Sequence, residues 1–393
     1  MEAQARQAYG RLIALLASRS GDLAGAEDAL GDALLAALER WPIDGTPGNP
    51  QAWLLTVARR RGIYRARRLA SADAELARMQ DEADAAMNEA RPFPDERLGL
   101  MLACAHPAVD AAARTPLMLQ AVLGLTAERM ASAFLTSPAT MTKRLVRAKA
   151  KLAAAGVRFE TPRPEDLAER LEPVLDAVYA AFTLARDDGG DGTLEGEALW
   201  LGRLLAELTP YKPEAAGLLS LMLFVSARAS PNASADYTPL SLQDPAGWDA
   251  IRMLEAEARL RAAGAVGRPG RFQLDAAIQA VHANRRRRRA TDWAAILTLY
   301  DGLLLVAPTI GAQVSRAAAQ AQSGAPDSAL TALDLLDPMR VAAHQPYWAT
   351  RAYALAAAGR SVEAAAAYLR AAGLAERPGV RAWLLQQRTL LAN

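Results

Sequence analysis

Between Leu125 and Gly156 the chain reads LTAERMASAFLTSPATMTKRLVRAKAKLAAAG, a stretch with little freedom in how it can fold. Thr126 is placed to cap a first helix, and Glu128 sits in its first turn, where the helix dipole favours an acid. Met130, Phe134 and Leu135 give that helix an apolar side. Thr136-Ser137-Pro138 interrupts it. Ser137 can cap a new helix, and Pro138 suits the first helical position, where a missing N–H costs nothing. Gly156 is a natural stop. Met141, Leu145, Ala148 and Leu152 recur at helical spacing, and Thr140, Lys143, Arg144, Arg147 and Lys151 form a neighbouring stripe rotated by roughly 110°. No acid occurs between Ala139 and Ala154. Two helices, a three-residue turn, and a second helix with one apolar and one basic face describe a helix-turn-helix that reads duplex DNA. The alternative for the same residues is a solvated basic helix in a bundle.

Composition extends the helical reading to the whole chain. Its 393 residues suffice for two or three domains. Ala and Leu dominate and β-branched residues are scarce, which favours helix almost throughout. The net charge is only +2, so nucleic-acid affinity has to come from local patches. One cysteine, Cys104, excludes an internal disulfide framework and fits a reducing cytoplasm. His106, His282 and His344 are widely scattered and give no metal-ligand spacing. His106, before Pro107, reads as a helix-end or core histidine. No phosphate-binding loop, dinucleotide fingerprint or nucleophile elbow occurs. No enzyme activity, catalytic residue, cofactor or metal is expected. Neither a signal peptide nor a stretch of 18 apolar residues is present, so the expectation is a cytoplasmic protein without a membrane segment.

The N-terminal region predicts three helices. AYGRLIALLASRS breaks at Gly21, and DLAGAEDALGDALLAALERW follows, with Asp22 as its cap and Trp41-Pro42 as its end. In that second helix Leu30, Leu34, Leu38 and Trp41 mark the expected buried side. Glu27, Asp28, Asp32 and Glu39 mark an exposed acidic one. Asn49 then caps NPQAWLLTVARRRGIYRARR, which carries Arg59, Arg60, Arg61, Arg65, Arg67 and Arg68. Within it Trp53 shares the periodicity of Leu54 and Val57 and reads as core, whereas Tyr64 stands among arginines. Residues 71–96 are acidic and then proline-broken, a linker. Toward the C-terminus, Ala318/Ala352, Gly324/Gly359, Ala329/Ala364 and Leu333/Tyr368 recur 34 or 35 residues apart, in the manner of tetratricopeptide repeats. The run Arg285–Arg289 has no interleaved aromatics and reads as a solvated junction rather than a DNA site.

Taken in order, AEDAL, AALERW, NPQAWLLTVARRR and RLVRAKAKL resemble the bacterial sigma factors of the extracytoplasmic-function group. DERLGLMLACAHPAV, LLSLMLF, GRFQLDAAIQAVHA and TDWAAILTLYDGLLLVAP resemble a subgroup with a helical C-terminal extension. The resemblance implies an all-α protein: a sigma-2-like domain over 1–70, an acidic linker over 71–96, and a sigma-4-like helix-turn-helix domain over 97–160. A helical extension over 165–285 and tetratricopeptide-like repeats over 290–393 follow. It also implies core RNA polymerase (β′ clamp and β subunit) and promoter DNA as partners, with a regulatory protein on the C-terminal repeats.

Residue by residue, the resemblance places polymerase binding on Glu27, Asp28, Asp32 and Glu39. Minus-ten contacts fall on Arg59, Arg60, Tyr64, Arg65 and Arg68, where cations hold phosphates and a planar ring can take an extruded base. Minus-thirty-five contacts fall on Thr140, Lys143, Arg144 and Arg147 near bases and on Lys151 near phosphate. The chain departs from the family at Gly31, which removes a polar side chain at about 1 kcal/mol of helix propensity. It departs again at Tyr64, where an acid is usual, and in the segments YAAFTLARDDG and SLQDPAGW. The competing expectation is a helix-turn-helix regulator with a repeat-based sensing domain. A third is a helical scaffold with incidental basic faces.

Overall fold

In a computed structural model the chain is all-α, with no strand among the described residues. Those residues are 2–69, 96–134, 136–157, 159, 164–187, 193–228, 237–288 and 290–391. They fall into two compact units, the first comprising residues 1–186 with 190–195, the second residues 187–189 with 196–393.

The first unit holds α1 (Glu2–Ser20), α2 (Leu23–Asp44), α3 (Pro50–Leu69), α4 (Arg97–Cys104), α5 (Ala111–Leu123), α6 (Ala127–Ala133), α7 (Pro138–Ala154) and α8 (Pro164–Asp187). Local chemistry sets several of their ends. Asn49 Oδ1 accepts from the Ala52 N–H at 3.1 Å and starts α3. Thr126 Oγ1 accepts from Arg129 at 3.3 Å and starts α6, and Ser137 Oγ accepts from Thr140 at 3.2 Å and starts α7. Gly124 and Gly156 take the left-handed conformation after α5 and α7, with φ of 65° and 58°.

Three expectations for α2 need correction. Asp22 occupies the N-cap position, but its side chain makes no capping bond. The helix runs through Pro42 to Asp44 and ends at Gly45, φ 84°, because a proline in the last turn forfeits only one hydrogen bond. The buried face consists of Leu23, Ala26, Ala29, Leu30, Ala33, Ala36, Ala37 and Trp41, whereas Leu34 is half-buried and Leu38 is 63% exposed. A four-residue spacing drifts by about 40° per step against a 3.6-residue turn, so Leu38 has rotated roughly 80° away from Leu30.

α1 is the hub of this unit, packing on α2, α3, α4 and α5. At Gly10 the approach to α5 is so close that a Cβ would sit 1.8 Å from the Val122 carbonyl oxygen. Only glycine fits there. Cys104 lies fully buried under the same helices, and burial pushes its thiol well above the usual range, which makes it a packing residue.

The second unit takes in α9 (Thr193–Leu208) from Gly196 onward, then α10 (Pro213–Ala227), α11 (Ala250–Gly264), α12 (Arg271–Ala283), α13 (Arg285–Arg288) and α14 (Trp293–Val306). After these come α15 (Ile310–Gln322), α16 (Pro326–Asp334), α17 (Pro338–Val341), α18 (Gln345–Ala357), α19 (Ser361–Leu374) and α20 (Pro378–Leu390). α10 is apolar on nearly every side and buried, with α11 and α12 packed on it. Glu214, in its first turn, accepts from the N–H groups of Phe272 and Gln273 at 2.9 and 3.2 Å and so caps α12.

α15 to α20 share one apolar core. Gly324 and Gly359 make the turns α15–α16 and α18–α19 at φ of 89° and 75°. Ala329, Leu333, Ala352, Ala364 and Tyr368 are buried as their spacing predicts. Ala318 is only half-buried. Ala317, 35 residues before Ala352, takes its place, which brings that pair to the same spacing as the others.

Candidate nucleic-acid interface

α7 derives its orientation from its own two faces. Met141, Leu145, Ala148 and Leu152 are buried, and α7 rests on α5 and α6 through that side. Thr140, Lys143, Arg147 and Lys151 are consequently exposed on the neighbouring side. Arg144 is half-buried, and its Nη1 donates to the Ala112 carbonyl at 3.4 Å. Lys151 Nζ lies 2.7 Å from Asp110 Oδ1, and this hydrogen bond holds the Asp110 carboxyl below its usual range. Both partners are solvated, so the pair is weak and a phosphate can replace the carboxylate at little cost. The result is an exposed cationic ridge on a capped, rigidly seated helix, a geometry that suits the major groove.

On α3, Arg60 is exposed and Arg59 half-buried. The side chains of Tyr64, Arg65 and Arg68 lie outside the described residues. Trp53 meets Trp41 edge to face, with ring centroids 5.5 Å apart, and so joins α3 to α2. That contact makes it a packing residue.

The acidic residues of α2 separate into two groups. Asp28 and Glu39 are exposed and Asp32 is half-buried. Glu27 does not occupy the exposed position expected of it. Its side chain is only 16% exposed and pairs with Lys149 of α7, itself 15% exposed. Burial raises the Glu27 carboxyl above its usual range, and Lys149 opposes that shift. Each residue of the pair is one position from an apolar stripe, Glu27 beside Ala26 and Lys149 beside Ala148. That adjacency is the only sequence signal for the contact. Sequence reasoning also missed Leu35, Leu38 and Ile43, which are 61%, 63% and 84% exposed on α2.

Two arginines of the run, Arg285 and Arg287, are engaged by groups of the second unit. Arg285 donates to the Ser241 and Gln243 carbonyls at 3.0 and 2.7 Å and lies over the Trp248 ring, while Arg287 pairs with Glu257 at 3.4 Å. The side chains of Arg286, Arg288 and Arg289 are outside the described residues. His106 Nδ1 accepts from the Ala108 N–H at 3.1 Å, a helix-end role. Among the described residues no cluster of His, Cys, Asp and Glu could hold a metal, and no helix is long and apolar enough to cross a membrane.

Residues 5–72 match the model of sigma-70 region 2, which spans α1 to α3. Residues 170–264 match a family of unknown function, DUF6596, which runs from α8 to α11. The chain is 35% identical over 405 residues to "Uncharacterized protein R00370" of Rhizobium meliloti (strain 1021), covering 98% of this chain and 93% of the relative. No solved structure matches.

Proposed function

We propose that the chain is an alternative sigma factor of the extracytoplasmic-function type with a regulatory C-terminal extension; the match of residues 5–72 to sigma-70 region 2 supports the sigma-70 family. It works in the cytoplasm, where core polymerase and chromosome meet. Polymerase docks on the outward face of α2, through Asp28, Asp32 and Glu39 together with the exposed Leu35, Leu38 and Ile43. Such a mixture of apolar anchors and a charged rim suits a protein interface. α3 supplies Arg59, Arg60, Tyr64, Arg65 and Arg68 to the minus-ten element. α7 reads the minus-thirty-five element with Thr140, Lys143, Arg144 and Arg147, and Lys151 meets phosphate.

The observation that carries this reading is the exposed ridge of α7, seated on its apolar face and set behind a Ser137 cap. The decisive experiment is co-purification of the full chain with core RNA polymerase, followed by run-off transcription from genomic fragments. Promoter-specific transcripts that require both components are expected. DNA binding without polymerase association would instead make the protein a helix-turn-helix regulator.

For the extension, we propose that α15 to α20 form tetratricopeptide-like repeats that receive a regulatory protein. The 35-residue recurrence of buried small residues and left-handed glycines supports this. Transcription by the chain truncated after Arg163, compared with the full chain at equal soluble concentration, tests it. Equal activity would reject a regulatory role.

A further inference from the structure

α7 has no acid of its own from Ala139 to Ala154, but the fold brings one to it. Asp110 occupies the N-cap position of α5, and its side chain makes no capping bond. Its carboxylate instead meets Lys151 Nζ at 2.7 Å, 41 residues further along the chain. An acid at an N-cap ordinarily accepts from the first turn of its own helix. Here it is turned toward a cation of the DNA-facing side.

The backbone around Asp110 is braced. Arg114 Nε donates to the Val109 carbonyl at 3.0 Å, and its Nη2 donates to the Pro107 carbonyl at 3.4 Å. Val109 is fully buried, and Arg144 ties α7 to the first turn of α5 through the Ala112 carbonyl. The carboxylate itself is 68% exposed, so nothing shields it from an approaching phosphate. The hydrogen bond from Lys151, with Arg114 and Arg147 nearby, holds its carboxyl below the usual range. Asp110 is thus a lasting negative charge at the edge of the cationic ridge.

We propose that Asp110 is a built-in competitor for DNA phosphate at Lys151, limiting the affinity of α7 for any duplex and leaving recognition to its base contacts. This rests on the reading of α7 as a DNA-reading helix. Sequence-independent affinity comes from cations that neutralise phosphates and release counterions. A lysine already neutralised within its own fold contributes less to that affinity. Once Lys151 turns to a phosphate, the vacated carboxylate faces the same anion. Both partners are solvated and the pair opens easily, so Asp110 lowers affinity without blocking it. Thr140, Lys143 and Arg147 lie outside the pair and remain available to base edges, which carry the sequence information.

The test is a gel-shift titration of the full chain, with and without core polymerase. The probes are a duplex selected from genomic fragments by binding, and the same duplex with its sequence scrambled. Asp110→Asn should tighten binding to both alike, about fivefold at about 50 mM salt, and steepen the salt slope by about one. One phosphate contact changes affinity about 3.5-fold over a fourfold change in salt, so most of that gain should vanish at about 200 mM. Asp110→Glu keeps the charge and should match wild type. Asp327→Asn, at an exposed acid of the second unit, should change nothing. In a Lys151→Met background the gain from Asp110→Asn should fall below about twofold, since the competed lysine is gone. An undiminished gain in that background, the same gain from Asp327→Asn or from Asp110→Glu, or no gain from Asp110→Asn overturns the competitor. A gain on one duplex alone overturns it as well and makes Asp110 a base reader. A chain that shows the expected pattern on DNA but never co-purifies with polymerase removes the sigma-factor reading and keeps the competitor.

Discussion

α7 and the run that begins at Arg285 each carry five cations, yet their charges meet different surroundings. On α7 the apolar stripe is buried against α5 and α6, so Lys143 and Arg147 are held outward, and Lys151 has only a solvated carboxylate for a neighbour. In the second unit, Arg285 is committed to two backbone carbonyls and an indole, and Arg287 to Glu257. A helix with an apolar back presents its charges, whereas Arg285 and Arg287 are taken up by carbonyls, a ring and a carboxylate of their own fold. Cation density alone therefore does not locate a nucleic-acid site.

The strongest way to break that contrast is to remove charge from both places. Lys143→Ala with Arg147→Ala should cost about 2–6 kcal/mol in promoter binding, since each side chain that reaches a base edge contributes about 1–3 kcal/mol. Arg285→Ala with Arg287→Ala should leave affinity for the same fragment unchanged. A gel-shift titration decides it, and equal losses from the two pairs would erase the distinction.

Next in size are the buried titratable groups of the second unit, both on α12. Asp275 is raised to about 6, chiefly by burial, with Arg271 opposing and Glu214 adding to the shift. Its stabilising proton is fully held below the unfolded value near 4 and is lost as pH rises through about 6. Asp275→Asn should therefore stabilise at pH 7 by about 3 kcal/mol and by little at pH 4. His282 packs edge-on against Trp293 and is lowered to about 4 by burial and by Arg228 and Arg285. Its penalty appears as pH falls from about 6.5 to 4, so His282→Gln should stabilise by about 3 kcal/mol near pH 4 and hardly at all at pH 7. Thermal melts across that range should show the two gains at opposite ends.

A smaller effect separates structural from functional arginine. Arg285→Ala alone should lower the stability of the second unit by about 1–2 kcal/mol, because the carbonyls of Ser241 and Gln243 lose a charged donor. Urea melts that match wild type would place this arginine with the solvated charges instead.

The smallest expected effect is at Lys151. Lys151→Ala should weaken all promoter fragments alike and lower the salt slope by about one, while thermal stability changes by less than about 1 kcal/mol. A loss confined to one promoter sequence would move Lys151 from phosphate to base contact.

Much of α7 was legible in advance because its determinants are local. Ser137 reaches only to Thr140, Gly156 needs only its own left-handed backbone, and the apolar and basic stripes follow from helical rotation. On α2 the same reasoning located a face but blurred its edge. Leucines four apart drift around the helix, and the alanines at 26, 33 and 37 take the buried positions because α1 and α3 come close. The repeat register shows the same limit, with Ala317 rather than Ala318 inside.

What the sequence by itself determined is the helical content, the caps at Asn49, Thr126 and Ser137, the turn glycines and the outward ridge of α7, since each depends on interactions within a few residues. The tertiary structure alone decided that Glu27 turns inward to Lys149, that Trp53 meets Trp41, and that Arg285 holds a loop more than forty residues earlier in the chain. Those pairings depend on which surfaces are brought together. A charge or a ring carries no local mark of the partner that burial will assign to it.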